Sequence, residues 1–192
     1  RVPRELFVPA SLRDRAYEDM AVPIGYGQTL SRPSVVGLMT QALELGPRLK
    51  VLEVGTGSGY QAAVLARLCR RVYTIERHRP LLAEAEARFR RLRLHNVTTR
   101  HGDGWLGWPE LAPFERIIVT AAPAAVPQGL VDQLAPGGVM VLPLGAGQAT
   151  QRLTRVRRGE GGALEWDDIG PIRFVPMVEG LPEVEIPPAP SI

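Results

Sequence analysis

The chain is short of several things at once. One of its 192 residues is cysteine, Cys69, which excludes an intramolecular disulfide framework and any CxxC metal or redox pair. Lys50 is the one lysine, so the 23 basic residues are almost all arginine; against 20 acidic residues the formal net charge is only +3. A balance that small is no electrostatic footprint for nucleic acid. The three histidines, His78, His95 and His101, are scattered and read as surface or structural residues. The longest uncharged run, Gln133 to Gln151, is broken by Pro136, Gly137, Gly138, Pro143, Gly145 and Gly147, so it cannot span a membrane. No signal peptide is visible. The chain opens on Arg1 rather than Met, and a further N-terminal piece is expected before it.

What is present is ordinary globular material. The apolar fraction is 45% and the charged fraction 22%, enough for one domain with a sizeable core and no staples. Twenty glycines and 18 prolines imply many sharp connections. Pro182 to Pro190 reads as an extended tail.

The middle of the chain alternates apolar strands with amphipathic helices. Val51–Val54 is a short apolar run stopped by Gly55, and Arg71–Ile75, Asn96–Thr99, Arg116–Thr120 and Gly138–Leu142 are further strands. Helices are expected over Pro33–Leu45, Ser58–Leu68, Pro80–Leu92 and Gln128–Leu134, with Ser31 as N-cap of the first. In Pro80–Leu92 the residues Leu81, Leu82, Ala85, Phe89 and Leu92 recur at helical spacing. The arginines at 88, 90, 91 and 93 gather near its C-terminal end, where the helix dipole favours cations, and read as a solvated face. Arg152–Arg157 and Ile172–Val175 look like strands with no long helix between them. Such an order predicts an α/β, doubly wound, Rossmann-like fold: a mostly parallel central sheet, helices on both faces and an antiparallel edge.

Gly55-Thr56-Gly57-Ser58-Gly59 follows a strand and opens a helix, which suits close approach of a ligand to backbone N–H groups. The pattern is GxGxG, with Tyr60 where the dinucleotide fingerprint has its third glycine. This favours a nucleoside without a pyrophosphate over a nicotinamide cofactor. Glu76 follows Gly55 by 21 residues at the end of the next strand, the place for a carboxylate that accepts from ribose hydroxyls. Asp103, between Gly102 and Gly104, could accept from an adenine amine. Glu53 is an acid inside an apolar strand and needs a partner, either in orienting the loop or in meeting a ligand amine. Loop and acids together are shared by S-adenosylmethionine-dependent methyltransferases. From the residues alone, an RNA or small-molecule methyltransferase and a non-catalytic binding module stay open.

Two stretches narrow this. VLEVGTGSGYQAAVLA (51–66) resembles the cofactor loop of protein-L-isoaspartate O-methyltransferases, and YEDMAVPIGYGQTLSRPSVVGLM (17–39) resembles that family's signature segment. HGDGW (101–105), LAPGGVMVLPLG (134–145) and IRFVPM (172–177) follow in the family's order. The resemblance covers nearly the whole chain. It implies methylation, from S-adenosylmethionine, of the α-carboxyl of L-isoaspartyl residues in damaged proteins and peptides, yielding S-adenosylhomocysteine. It assigns Ser31 to the active site and Gln28, Thr29, Leu30, Glu53, Gly55, Thr56, Gly57, Gly59, Glu76, Arg77, Asp103 and Gly104 to the cofactor. It implies no metal, a monomer in the cytoplasm, and no nucleic-acid or membrane partner. One domain is expected over 1–192: a substrate and lid region (1–45), a cofactor core (46–180) and the tail (181–192). The chain departs from the pattern at Val178, where some relatives carry a hydroxyl residue near the substrate. It also begins where relatives carry a preceding helix.

The chemistry needs little acid–base help. An α-carboxyl with a reference pKa near 3.5 is ionised at neutral pH, so no general base is required and alignment dominates. Gly25–Ser31, with its two glycines, is the candidate lid.

Overall fold

The computed structural model describes residues 2–147 and 150–183. Most of the Pro-rich tail lies outside them. Two 3-10 turns, Arg4–Leu6 and Ala10–Arg15, lead into an antiparallel hairpin of β1 (Val22–Gly25) and β2 (Gln28–Leu30). The expected lid is this hairpin's second half. Helix α1 (Pro33–Ala42) follows, opened by a proline in its first turn, where the missing N–H costs nothing.

The sheet then begins with β3 (Lys50–Val54), α2 (Tyr60–Leu65), β4 (Arg71–Glu76), α3 (Arg79–Arg91), β5 (Val97–His101) and β6 (Phe114–Val119). It finishes with α4 (Gln128–Asp132), β7 (Leu134–Leu144), β8 (Arg152–Arg158) and β9 (Leu164–Pro171). The order across the sheet is β5-β4-β3-β6-β7-β8-β9. The first five strands in that order run parallel, and the last two are antiparallel additions. The doubly wound sheet and its antiparallel edge are as the alternation implies.

Strand alternation divides the core in two. Val51, Ile118, Val139 and Val141 pack with residues of α1, α2 and α3 on one face. Their neighbours Leu52, Ile117, Met140 and Leu142 pack with Leu130 and Val131 of α4 on the other. In α3 the periodic residues Leu81, Leu82, Ala85 and Phe89 are the buried ones.

One expectation fails at the edge. Ile172–Val175 is not a strand, and β9 lies just before it. In β9 most side chains are exposed, and it is held by ion pairs to β8, Arg152 with Asp168 and Arg155 and Arg157 with Asp167, which leave no apolar alternation to read. Ile172 and Phe174 are indeed buried, but separate bonds hold the segment in place of a continuous ladder: the Ile172 N–H donates to the Gln151 carbonyl and the Ala122 N–H to the Val175 carbonyl. The Gln151 amide exchanges hydrogen bonds with the Phe174 backbone in both directions, at 2.6 and 3.1 Å.

Ser31 does not cap α1. No side chain of the residue at the N-cap, Arg32, bonds the helix end. Instead the Asp19 carboxylate accepts from the Ser34 backbone N–H and hydroxyl, both at 2.8 Å.

Candidate active site

β3 has β4 on one side and β6 on the other, so a crevice opens at their C-terminal ends, where strand order reverses. Gly55 sits at that point with φ +99°; a Cβ there would lie 2.3 Å from Thr120 Oγ1, just past β6. Thr120 Oγ1 lies 2.7 Å from the Gly55 carbonyl oxygen and donates to it. The glycine is needed both for the turn and for this close approach.

A cavity of about 350 Å³ occupies the crevice. Its wall includes Gly55, Thr56 and Gly57 from the loop, Glu76 and Arg77 from the end of β4, Gln28, Thr29, Leu30 and Ser31 from the hairpin, and Gly104. Ten of the thirteen expected site residues are thus brought together. Glu76 Oε2 accepts from the Gly57 backbone N–H at 2.8 Å, and Oε1 from the His78 N–H at 2.9 Å. The carboxylate therefore holds the loop at the height of the cavity while facing it.

Glu53, Gly59 and Asp103 lie outside the wall. Glu53 is fully buried; its Oε2 accepts from Thr74 Oγ1 at 2.5 Å, and Thr74 Oγ1 lies 2.6 Å from Thr56 Oγ1. The acid thus reaches the loop through two hydroxyls. Burial pushes its carboxyl up to about 8, the neighbouring Glu76 charge adding to this and the Thr74 hydrogen bond opposing it. Gly59 has φ +89°, and a Cβ would meet the Phe89 ring at 2.8 Å, so it lets α3 pack against the loop. Asp103 accepts from the Trp105 N–H at 2.9 Å and the Gly180 N–H at 2.7 Å. In this arrangement it fastens the segment after β9 rather than facing the cavity.

Among the wall residues that were not expected there are His78, Tyr60, Gln61 and Thr120. His78, read with the other histidines as surface or structural, lies in this wall. Its position two residues past Glu76 was the available signal. Val178 also lies in the wall. The Arg88 reading is corrected: its guanidinium joins the Leu6 and Ser58 carbonyls at 3.1 Å each, tying the N-terminal turn to the cofactor loop.

The cavity's chemistry suits a nucleoside bearing a charged tail. Val36, Met39, Val54 and Ile75 give it apolar walls, while Glu76 and the loop backbone supply polar groups. Among the described residues there is no group of three or more potential metal ligands. Among the same residues no helix is long and apolar enough to cross a membrane.

Sheet order, glycine loop and acid define an S-adenosylmethionine-dependent methyltransferase with a Rossmann-like fold. A Plasmodium falciparum chain, described as a protein-L-isoaspartate O-methyltransferase in complex with S-adenosyl-L-homocysteine, superposes with a TM-score of 0.79 at 26% identity, covering 92% of this chain and 86% of that one. The sequence model of the protein-L-isoaspartate(D-aspartate) O-methyltransferase family matches residues 1–181. The protein-L-isoaspartate O-methyltransferase of Rhodospirillum centenum is 65% identical over 184 residues, 95% of this chain and 81% of that protein. That of Rhodospirillum rubrum is 63% identical over 190 residues, 98% of this chain and 87% of that protein. The chain belongs to the protein-L-isoaspartate O-methyltransferase family.

Proposed function

We propose that the protein transfers a methyl group from S-adenosylmethionine to the α-carboxyl of L-isoaspartyl residues, starting their return to aspartate through a succinimide. One observation carries the site assignment: Ser31 and Thr29 line both the cofactor cavity and a second, outer cleft. A partition shared by two cavities is where groups entering from each side meet.

When bound, S-adenosylmethionine supplies a sulfonium methyl open to in-line displacement. Glu76 would accept from the ribose hydroxyls, and the Gly55–Gly57 backbone with Gln28, Thr29, Leu30, Arg77 and Gly104 would line the rest of the cofactor site. Glu53, Gly59 and Asp103 support that wall from behind. Ser31 orients the incoming carboxylate. A donor damps a nucleophile, so its hydroxyl positions rather than activates, and the carboxylate is already ionised. Alignment of this kind is worth roughly 7–11 kcal/mol. Residues 1–45 serve substrate entry and closure, and 46–180 hold the cofactor. The protein works as a cytoplasmic monomer on proteins and peptides, without a nucleic-acid partner; the net charge of +3 supports that last point.

The test is transfer of labelled methyl to two peptides differing only in isoaspartyl or aspartyl linkage. Base-labile label on the isoaspartyl peptide alone is expected; label on both or neither removes the reading.

A further inference from the structure

The outer cleft, of about 580 Å³, is lined by Thr29 and Ser31, which it shares with the cofactor cavity, and by Asp19, Arg32, Gln151 and Arg173. Arg32 and Arg173 come from opposite ends of the chain, and neither touches the cofactor cavity. Both are exposed, and neither has an ion pair or a side-chain hydrogen bond among the described residues. This sets them apart from Arg15, Arg88, Arg100, Arg152, Arg155 and Arg157, all paired with carboxylates. The one carboxylate lining the cleft, Asp19, bonds Ser34 through both oxygens and attracts Arg32 and Arg4 electrostatically without a close ion pair to either. The cleft is thus lined by two exposed guanidinium groups that, among the described residues, make no close ion pair.

We infer that Arg32 and Arg173 read the charge of residues flanking the isoaspartyl group, so that the enzyme favours peptides with aspartate or glutamate beside the damaged position. The inference rests on the proposed reaction. The reacting carboxylate belongs at the Ser31 partition, whereas the two arginines line only the outer cleft, where neighbouring residues of an extended peptide lie. Arginine suits this task because its planar fork matches a carboxylate.

The experiment compares kcat/KM for three isoaspartyl peptides identical but for glutamate, glutamine or lysine at the flanking positions. An exposed charge contact is worth a factor of about 1.5 to 5, so two predict a glutamate-over-glutamine ratio of roughly 2 to 25 at low salt and a larger one over lysine. The ratio shrinks as added salt shortens the screening length. In the double variant Arg32→Glu, Arg173→Glu the order inverts. Equal rates for all three peptides, or the same ratio in the wild type and the variant, overturns the inference while leaving the reaction intact. An equal loss on all three peptides in the variant also overturns it, placing the arginines on the reacting carboxylate instead. Failure of the wild type to methylate any isoaspartyl peptide would instead sink the proposed reaction.

Discussion

The guanidinium of Arg4 donates to the carbonyl oxygen of Ser31 at 2.7 Å. Arg4 is completely buried and makes no carboxylate ion pair among the described residues; its guanidinium's other bond runs from Nε to the Ala16 carbonyl at 2.7 Å, and its Cζ lies 4.9 Å from the Tyr60 ring centre. A charge is thus used to pin backbone: the first turn of the chain fixes the height of the residue at the partition between the two cavities. Burial correspondingly lowers the Arg4 pKa from its ordinary value.

Replacing Arg4 by methionine keeps bulk but leaves two carbonyls without their donor. A lost buried hydrogen bond costs about 1–3 kcal/mol, so thermal unfolding should fall by several degrees. KM for an isoaspartyl peptide should rise more than the dissociation constant for S-adenosylhomocysteine. Unchanged peptide kinetics would detach Arg4 from the site.

Ser31 and Asp19 should separate cleanly. Ser31→Ala is expected to lower kcat by roughly 10- to 100-fold, in the range of a lost positioning contact, with cofactor affinity and stability nearly constant because Ser31 caps nothing. Asp19→Ala removes the cap on α1 and should cost about 1 kcal/mol of stability in urea unfolding. Equal loss of methyl transfer and cofactor affinity in Ser31→Ala would count against its placement in the reaction.

Glu76→Ala takes away both an acceptor for the ribose and the anchor of the Gly57 N–H. Cofactor affinity measured by calorimetry should weaken by about tenfold or more, at the scale of one charged hydrogen bond. An unchanged dissociation constant would remove Glu76 from the site.

Glu53 carries a pH signature. Its folded pKa of about 8 lies above the ordinary 4.5, so the folded state holds the extra proton between those values. The stabilisation is complete below about pH 4.5 and is lost as pH rises through 8. The slope is at most about 1.4 kcal/mol per pH unit. Glu53→Gln, which keeps the shape and cannot ionise, should flatten the fall in stability between pH 5 and 9. A parallel fall in both proteins would locate the dependence elsewhere.

Gly59→Ala brings a methyl group against Phe89 at a left-handed backbone position. Strain and overpacking of this kind cost about 1–3 kcal/mol. Pairing it with Phe89→Leu should recover part of the loss in thermal unfolding, since the ring supplies the clash and the backbone strain remains.

The sequence by itself determined what depends on neighbours along the chain. The strand alternation of Val51–Val54, the three-and-four spacing of Leu81, Leu82, Ala85 and Phe89, and the glycine loop after β3 are local patterns. They announced the sheet, α3 and the nucleoside site, and the GYGQTLSRP segment carried the family. Only the tertiary structure decided which side chains serve distant backbone. Asp19 rather than Ser31 caps α1; the Gln151 side chain bonds the Phe174 backbone; Arg4 and Arg88 bind carbonyls of other segments. Glu53, Gly59 and Asp103 belong to the support of the cavity, not its wall, while His78 and Thr120 enter it. The physical reason is range. Periodicity and turn chemistry are set over a few residues, whereas a polar side chain bonds to whatever unsatisfied group the folded chain brings within about 3 Å, and nothing in its own neighbourhood records which group that will be.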